Sequence, residues 1–343
     1  MRNSLHYHLS MFRRRLVILL ITCITPLCAS AYDLNLFKVD SLFIKQYPWK
    51  YSVRFFSSTR IVNFGFNNGF EAGTPDTKIV YEPNNIFALG ASVSYRNLVL
   101  SYAWSTSFSL RRARLYGETS IRDFQLNITQ RIGVLSLYYR NFKGFYIANA
   151  AEIISSWVKG SPHLIRPDAD FSTLGGSILV NLNPKRYSLN AAIKQTELQV
   201  KDAWSLLVLA EYSDNSFSGD SSLIPYTVKD NFFGGEPINR VSYKGVGLMP
   251  GVSYYVGLRG FFLNPMVFVG PGYFEKGYKH SQSNSSYEKD FSLKTSVRLY
   301  SGYNYKRYTM GLVFNHDQTF IPDGHFSFRS GVIYMSFSAG VRF

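Results

Sequence analysis

The chain has 343 residues and a formal net charge of +15, with 17% of its residues aromatic and only 17% charged. Such a composition excludes intrinsic disorder, and the charged fraction lies below the quarter that is usual for soluble domains. The longest apolar run after residue 31 is the pentapeptide at 206–210, which excludes a polytopic helical membrane protein. An aromatic-rich, charge-poor chain of this kind is typical of an all-β protein, and in particular of a membrane β-barrel.

The N-terminus, residues 1–31, is predicted to be a signal peptide that is cleaved on export. It combines four arginines and no acid with a nine-residue apolar core at 16–24, too short to span a bilayer, and the small residues Ala-Ser-Ala at 29–31. An uncleaved membrane anchor is the alternative. Cleavage before Tyr32 lowers the net charge to +11 and removes both cysteines. No disulfide, thiol nucleophile or Cys-ligated metal is therefore expected.

An exported basic chain is not expected to bind nucleic acid. The partners that its charge predicts are anionic outer-membrane lipid, including lipopolysaccharide, and a small anionic solute.

From residue 32 onward the sequence alternates with period two, the pattern of β-strands that have two different faces. In 98–108 the even positions are mostly large and apolar, and in 123–130 Leu126 belongs to the apolar face and Asn127 to the polar face. A soluble β-sandwich also alternates. Segments of about ten residues with aromatic residues toward their ends favour strands that cross a bilayer.

The chain also ends inside an alternating strand. Ile333, Met335 and Phe337 begin an apolar face that continues to the C-terminal Phe343. A terminal aromatic residue in this register resembles the signal by which the barrel-assembly machinery recognises outer-membrane proteins. Phe343 is therefore the predicted assembly signal, and that machinery is a predicted partner during biogenesis.

These features predict a single transmembrane antiparallel β-barrel of 12–14 strands, formed by one domain over residues 32–343 in the bacterial outer membrane. Fourteen strands are favoured, because the assignment of strands and turns is then consistent from end to end, with both termini in the periplasm as an even number requires. Tight turns at 97, 130–131, 259–260 and 306–307 then face the periplasm, and longer segments at 110–117, 214–245 and 275–289 face outward. The predicted strands are 50–66, 78–96, 98–109, 118–129, 131–140, 143–150, 170–183, 186–196, 203–213, 246–258, 261–274, 290–304, 307–319 and 328–343. Merging 131–150 into one strand leaves thirteen, and twelve is the alternative if another hairpin also folds outside the barrel.

No motif predicts a catalytic, metal or cofactor site. The glycine pairs at 175–176 and 234–235 do not open helices and so are not nucleotide-binding loops. The histidines are scattered over separate segments, and the adjacent His316 and Asp317 point to opposite faces of a predicted strand. The chain is therefore not predicted to be an enzyme, and no cofactor is predicted.

Basic residues dominate the predicted inward faces, where they outnumber the acids Asp123 and Glu211. These bases are Arg54, Arg96, Arg140, Arg186, Lys194, Lys294, Arg298 and Arg342. One interpretation is that they pair with loop acids and lumen hydroxyls as structural filler. The other is a basic lumen that attracts anions, for which Lys294 and Arg298 on one strand face and Arg342 on the final strand are the candidate residues.

Several segments resemble successive blocks of one family. They are YSVRFF (51–56), YEPNNIFALGASVSYRNLVLSYAW (81–104), GETSIRDFQLNI (117–128), YYRNFKGFYI (138–147) and YSLNAAIKQTELQVKDAWSLLVL (187–209). With the motifs Tyr-x-Pro-Asn-Asn and Lys-Gly-Phe-Tyr, they resemble the domain-of-unknown-function four-four-two-one family over residues 40–343. Members of that family are exported proteins regarded as outer-membrane barrels. The resemblance implies a barrel, and it carries no known activity and no catalytic residue.

The function expected from the sequence is a pore, transporter or passive channel for small solutes, including anionic ones. Fourteen strands leave a lumen wider than that of a filled eight-stranded barrel. Two other functions fit the sequence. One is a structural or surface-binding barrel with a plugged lumen, and the other is an outer-membrane lipid hydrolase or acyltransferase, which requires a serine and a histidine that meet at the lipid interface.

Overall fold

A computed structural model describes residues 39–67, 77–84, 87–105, 110–154, 156–232, 235–280, 286–320 and 331–343. The predicted signal peptide lies outside the described residues and stays a prediction. So does His325, one of the scattered histidines.

The described residues form the predicted all-β barrel. The strands are β1 (Ile44–Gln46), β2 (Tyr51–Asn67), β3 (Lys78–Glu82), β4 (Phe87–Tyr95), β5 (Leu98–Ser105), β6 (Ser120–Gln130), β7 (Gly133–Ile147), β8 (Leu164–Asn181), β9 (Glu197–Gln199), β10 (Ala203–Ser218), β11 (Ile238–Leu258), β12 (Phe261–His280), β13 (Ser286–Tyr305), β14 (Tyr308–Phe320) and β15 (Gly331–Arg342). Twelve of them form an antiparallel wall in the order β2-β4-β5-β6-β7-β8-β10-β11-β12-β13-β14-β15. The wall closes because β15 pairs with β2, from Val332 opposite Val62 to Arg342 opposite Ser52.

The helical segments are short. They are α1 (Leu110–Tyr116), α2 (Ala150–Ile153), a π-helical turn (Asn190–Lys194) and a 3-10 turn (Tyr226–Asn231). The helix α1 occupies the segment predicted as the external loop 110–117. None of the helices in the described ranges has the length and apolarity needed to cross a membrane.

The period-two alternation sorts side chains between the two faces of the wall. On β5 the side chains of Leu98, Leu100, Tyr102 and Trp104 are 38–45% exposed, whereas Ala103 is 4% exposed on the opposite face. The other wall strands repeat this pattern, so exposed apolar and aromatic side chains surround the barrel. This is the outer surface that contact with hydrocarbon requires.

Twelve strands build the wall, which lies within the predicted range and matches the alternative rather than the favoured fourteen. Segments 131–140 and 143–150 form one strand, β7. Gly144, with a φ of +92°, sits at a register shift between Lys143 and Phe145, and this bulge lets the strand continue. Segment 78–96 divides into β4, which belongs to the wall, and β3, which pairs with the outer ends of β2 and β7.

The segment predicted as strand 186–196 lies inside the lumen instead. Its alternating Tyr187, Leu189 and Ala191 have the pattern of a wall strand, yet the backbone forms a loop and a π-helical turn. These side chains are 0–1% exposed and pack against inward-facing residues of the wall. Alternation failed here because a segment inside a barrel can be buried without belonging to a sheet.

This inserted segment, residues 182–202, together with residues 39–50 is called the plug. Its two parts are joined by a short antiparallel ladder of β1 and β9, from Ile44 opposite Gln199 to Gln46 opposite Glu197. The plug occupies the end of the barrel at which the two-residue turns lie. Its apolar core with the wall consists of Val134, Leu179, Tyr187, Leu189, Ala191, Ala192, Ala203, Leu207, Leu209, Met249, Tyr255, Phe262, Met266 and Phe268.

A second apolar core fills the opposite, long-loop end of the lumen. Phe64 is central to it, with ring centroids 4.3 Å from Phe171 and 5.3 Å from Phe217. Leu223, Ile224 and Phe232 of the loop after β10 also pack into this core. Residues 219–232, called the cap, thus fold over the lumen rather than away from it.

The cap is fixed to the wall by a charged pair. Arg166 donates from Nε and Nη2 to the two carboxylate oxygens of Asp168, each at 2.8 Å, a bidentate geometry that is strong. Asp168 also accepts the backbone N–H of Asp220 at 3.1 Å, and Tyr81 donates to the carbonyl of Leu223 at 2.6 Å. These bonds hold the cap across the mouth of the barrel.

Candidate functional site

The plug is held in place by buried polar contacts as well as by apolar packing. The hydroxyl of Tyr187 lies 2.6 Å from Ser253 Oγ and donates to Asn264 Oδ1 at 2.8 Å, on the inner faces of β11 and β12. Asn181, at the end of β8, donates to the carbonyl of Tyr187 at 3.0 Å. Because buried polar groups are costly to leave unpaired, these bonds favour one seated position of the plug.

Wall cations bind the end of the π-helical turn. The turn stops at Gln195, whose φ of +58° is left-handed, and the last carbonyls of a helical turn have no partner within the turn. Arg54 donates to the carbonyl of Lys194, and Arg342 donates to the carbonyl of Gln195. Lys194 in turn donates to the carbonyl of Arg96. Three of the predicted lumen bases therefore connect the plug with the wall.

Between the plug and the outer core lies a polar chamber with two adjoining lobes of about 280 and 110 Å³. Ile193 and Lys194 of the plug line one side, and Phe142, Phe171 and Tyr243 of the outer core line the other. The remaining lining comes from the inward faces of the wall strands. The chamber is the candidate functional site, because it is the polar space that the two apolar cores enclose.

One acid of the chamber, Asp123, is shared by two arginines. Arg60 Nη1 lies 2.8 Å from Asp123 Oδ2, and Arg140 Nε lies 3.5 Å from the same oxygen. Arg140 also stacks on the ring of Tyr138, 3.9 Å from its centroid. This carboxylate is therefore neutralised within the wall.

The second acid, Glu211, pairs with Lys294 across two intervening strands. Lys294 crosses Gly247 on β11 and Gly272 on β12, where an added Cβ would lie 2.7 and 2.8 Å from Lys294 Cδ. A Cβ at either position would force the Lys294 side chain to shift, so glycine there leaves the path by which the ammonium group reaches the carboxylate. Glycine at these two positions of the strands thus relieves crowding.

The third acid, Asp317, accepts a hydrogen bond from Ser296 Oγ at 2.6 Å. The same hydroxyl oxygen accepts from Arg298 Nε at 3.2 Å. The guanidinium carbon of Arg298 lies 5.6 Å from the ring centroid of Phe268, at the margin of the plug core. Ser296 therefore links Asp317 and Arg298 without direct contact between the two charges.

The structure brings two of the three candidate lumen residues to the chamber. Lys294 is 8% exposed and paired with Glu211, and Arg298 lines the larger lobe. Arg342 lies instead at the plug, 2% exposed, with its guanidinium 3.9 Å from the ring centroid of Tyr47. Whether any of them acts on a solute stays a prediction.

Phe343, the predicted assembly signal, is the last residue of the wall at the short-turn end. Its N–H donates to the carbonyl of Tyr51, and the N–H of Tyr51 donates to its carbonyl, both at 2.9 Å. Its side chain is 54% exposed and its ring stacks on Tyr51 with centroids 6.0 Å apart. The terminal residue thus seals the seam between the first and last wall strands.

Two chamber residues were missed by the sequence reasoning. Arg60 has the same parity as Arg54, so extending the inward face of β2 by three alternate positions identifies it. Asp317 was not counted among the inward acids, but it lies on β14 and lines the chamber. His316 next to it has Val297 and Ile333 as its cross-strand neighbours on the outer face, as the alternation predicts.

A second histidine, His163, lies in a cluster with the aromatic rings of Tyr116, Tyr146 and Trp157. Its Nδ1 is 3.0 Å from the carbonyl of Ile147, and its ring stacks on Tyr116 with centroids 4.9 Å apart. Within the described ranges, neither His163 nor His316 hydrogen-bonds a serine. No group of three or more potential metal-ligating side chains is found among the described residues.

The two sequence motifs quoted above meet at one junction near the long-loop end. Glu82 of Tyr-x-Pro-Asn-Asn accepts a hydrogen bond from the hydroxyl of Tyr146 of Lys-Gly-Phe-Tyr at 2.9 Å. Thr119 bridges them, since its hydroxyl donates to the Gly144 carbonyl at 2.7 Å and accepts the N–H of Asn84 at 2.9 Å. These motifs therefore have a structural role in joining β3 to the wall.

The chain matches one protein family by sequence and several outer-membrane proteins by structure. The family described as domain of unknown function DUF4421 matches residues 38–343. Among curated proteins none matches the sequence. Similar solved structures include the outer membrane protease OmpT from Escherichia coli, which is 10% identical and has a TM-score of 0.37 over 87% of this chain and 98% of that chain. An outer membrane channel from Pseudomonas putida F1 is 10% identical, with a TM-score of 0.34 over 89% and 100% of the two chains. The translocator domain of the autotransporter NalP from Neisseria meningitidis is 11% identical, with a TM-score of 0.34 over 99% and 98%.

Proposed function

The chain belongs to the family of domain of unknown function DUF4421, and since that family has no activity to transfer, we propose a function from the lumen itself. The protein is a β-barrel of the bacterial outer membrane whose lumen is closed by its own plug in the resting state. It works as a structural or binding barrel rather than as a passive pore. The observation that carries this proposal is the plug, residues 182–202 with 39–50, seated inside the wall.

The packing of the plug supports a closed lumen. Tyr187, Leu189 and Ala191 are at most 1% exposed, so water does not reach these side chains of the plug core, as in a protein interior. At the other end of the barrel the cap contributes Leu223 and Phe232, 0% and 2% exposed, to the outer core. A solute that passed through would have to displace both.

The charges of the lumen support the same proposal. A passive channel for anions requires bases that line an open path through the lumen and are not part of the structure that closes it. Here Arg54 and Arg342 bind plug carbonyls, and Lys294 is paired with Glu211. Lys194 binds the Arg96 carbonyl and Arg140 pairs with Asp123, so the structural interpretation accounts for five of the eight bases.

Planar-bilayer recording of the refolded protein tests the proposal. We expect no steady current from the wild type, with insertion checked by its heat-modifiable migration on a gel. Replacing residues 186–196 by a Gly-Ser linker of equal length removes the part of the plug that packs against the wall and should produce a steady current. Arg307→Gln, at an exposed turn, is the matched control and should behave as wild type. A steady current from the wild type contradicts the proposal and favours the open channel for small solutes.

A further inference from the structure

The chamber between the two cores has an excess of positive charge. Six bases and three carboxylates line its two lobes, which leaves a formal net charge of +3. The bases are Arg54, Arg60, Arg140, Lys194, Lys294 and Arg298, and the acids are Asp123, Glu211 and Asp317. Like charges enclosed in a low-dielectric wall repel one another strongly, so such a surplus is normally offset by a counterion.

Both lobes share this excess, since four bases and three acids line the larger lobe and three bases and two acids line the smaller one. Asp123 and Glu211 are each within ion-pairing distance of Arg60, Arg140 or Lys294. In contrast, no carboxylate of the described residues lies within ion-pairing distance of Arg54, Lys194 or Arg298. Arg54 and Lys194 are also in direct contact, through the hydrogen bond from the Arg54 guanidinium to the Lys194 carbonyl. Three cations therefore line the larger lobe outside ion-pairing distance of a described carboxylate, and Asp317, which makes no ion pair among the described residues, lowers their excess to two positive charges.

The neutral side chains of this lobe are suited to an oxyanion. Ser92, Ser101, Ser336 and Ser338 line it together with Asn127. The serines are short, so they leave open volume, and their hydroxyls and the Asn127 amide can donate hydrogen bonds. Guanidinium groups together with hydroxyls are the donors that phosphate and carboxylate oxygens prefer.

We infer that the larger lobe of the chamber binds a small multivalent oxyanion of the phosphate class. Arg54, Lys194 and Arg298 supply the charge, and the surrounding serines and Asn127 supply neutral donors. The volume of about 280 Å³ accepts an ion of this size and excludes long polyanions. The inference concerns equilibrium binding, so it does not depend on whether the lumen carries current.

Equilibrium dialysis of radiolabelled inorganic phosphate against the refolded protein, in low-salt detergent solution, tests the inference. We expect one phosphate per chain. Its dissociation constant should be at least about tenfold lower than that of chloride for the same site, because a multivalent oxyanion accepts several charge-assisted hydrogen bonds at once. Sulfate should compete with phosphate. A wild type that binds no phosphate, or that binds chloride equally well, overturns the inference.

Variants identify the site. Arg298→Gln should weaken phosphate binding by about tenfold or more, the loss of one charged hydrogen-bond donor, and Arg298→Lys should restore part of it. Arg298 is preferred to Arg54 for this test because it does not bind the plug backbone. The matched control, Arg307→Gln, removes an exposed base outside the chamber and should leave binding unchanged. Heat-modifiable migration on a gel checks that both variants are folded. An equal loss of phosphate affinity in Arg298→Gln and Arg307→Gln would mean that the ion responds to the net charge of the protein and not to a site in the chamber.

Discussion

At the scale of single residues, the alternation of the sequence decides which side chains meet lipid and which meet the lumen. Leu126 on β6 has Leu100 and Leu137 as its cross-strand neighbours on the outer face. The next residue, Asn127, lines the chamber. Adjacent residues of the strand thus have different surroundings, hydrocarbon on the outer face and a polar cavity on the inner face.

This difference yields a prediction about charge. Leu126→Arg should lower the free energy of unfolding by about 2–4 kcal/mol if the residue lies near the bilayer midplane. Asn127→Arg should cost less, because the chamber offers open volume and polar partners. Refolding titrations into lipid vesicles measure both. Equal costs, or the reverse order, would contradict the register and with it the set of chamber residues.

Buried charge pairs add a further constraint at this scale. Lys294 and Glu211 lie on β13 and β10, and the side chain of Lys294 reaches its partner only across Gly247 and Gly272. A buried ion left without its partner is strongly destabilising. The pair and the two glycines therefore form one packing unit that connects four adjacent strands.

At the scale of elements, sequence alternation predicted the wall well and the plug poorly. The two-residue turns among the described residues, at 96–97, 131–132, 259–260 and 306–307, lie within one residue of the predicted turns, because turns interrupt alternation visibly. The segment 186–196 alternates too, but its apolar positions Tyr187 and Leu189 face a core inside the barrel rather than lipid. An alternation of period two shows that one face of a segment is apolar. It does not distinguish a face that contacts lipid from one that packs in a protein core.

The candidate site was predictable only in part for the same reason. The inward parity of β13 identifies Lys294 and Arg298, since both lie on a regular strand. The partners of Arg54 and Arg342 are backbone carbonyls of the plug, and no sequence pattern marks a carbonyl as a ligand. The junction of Glu82 with Tyr146 likewise depends on the position of β3 beyond the end of β4, which only the fold reveals.

The terminal strand carries its own prediction. Deleting Phe343, or replacing it by Ser, should slow insertion into the outer membrane and leave protease-sensitive chain in the periplasm. Phe343→Tyr keeps the aromatic ring and should insert as wild type does. Pulse-chase appearance of the heat-modifiable form measures the rate. Insertion of the truncated chain at the wild-type rate and yield would show that the last strand is not the assembly signal.

At the scale of the whole molecule, the barrel has two apolar cores separated by a charged chamber. The plug core and the outer core each consist of side chains from many wall strands together with one inserted segment. A twelve-stranded wall is too wide for its own inward side chains to fill, so inserted segments complete the packing. The polar chamber is the space that the two inserted segments leave unfilled.

The central claim is that the plug is seated inside the lumen, and cysteine accessibility tests it most directly. Residues 32–343 contain no cysteine, so a single substitution in that stretch gives a single label. Ala192 in the plug core is 2% exposed, whereas Val200 at the edge of the plug is 44% exposed. In the refolded barrel, a membrane-impermeant maleimide should modify Ala192→Cys at least about tenfold more slowly than Val200→Cys, the ratio set by an opening free energy of only ~1.4 kcal/mol. Equal labelling rates in the native barrel, with both variants labelled equally in denaturant, would contradict a plugged lumen.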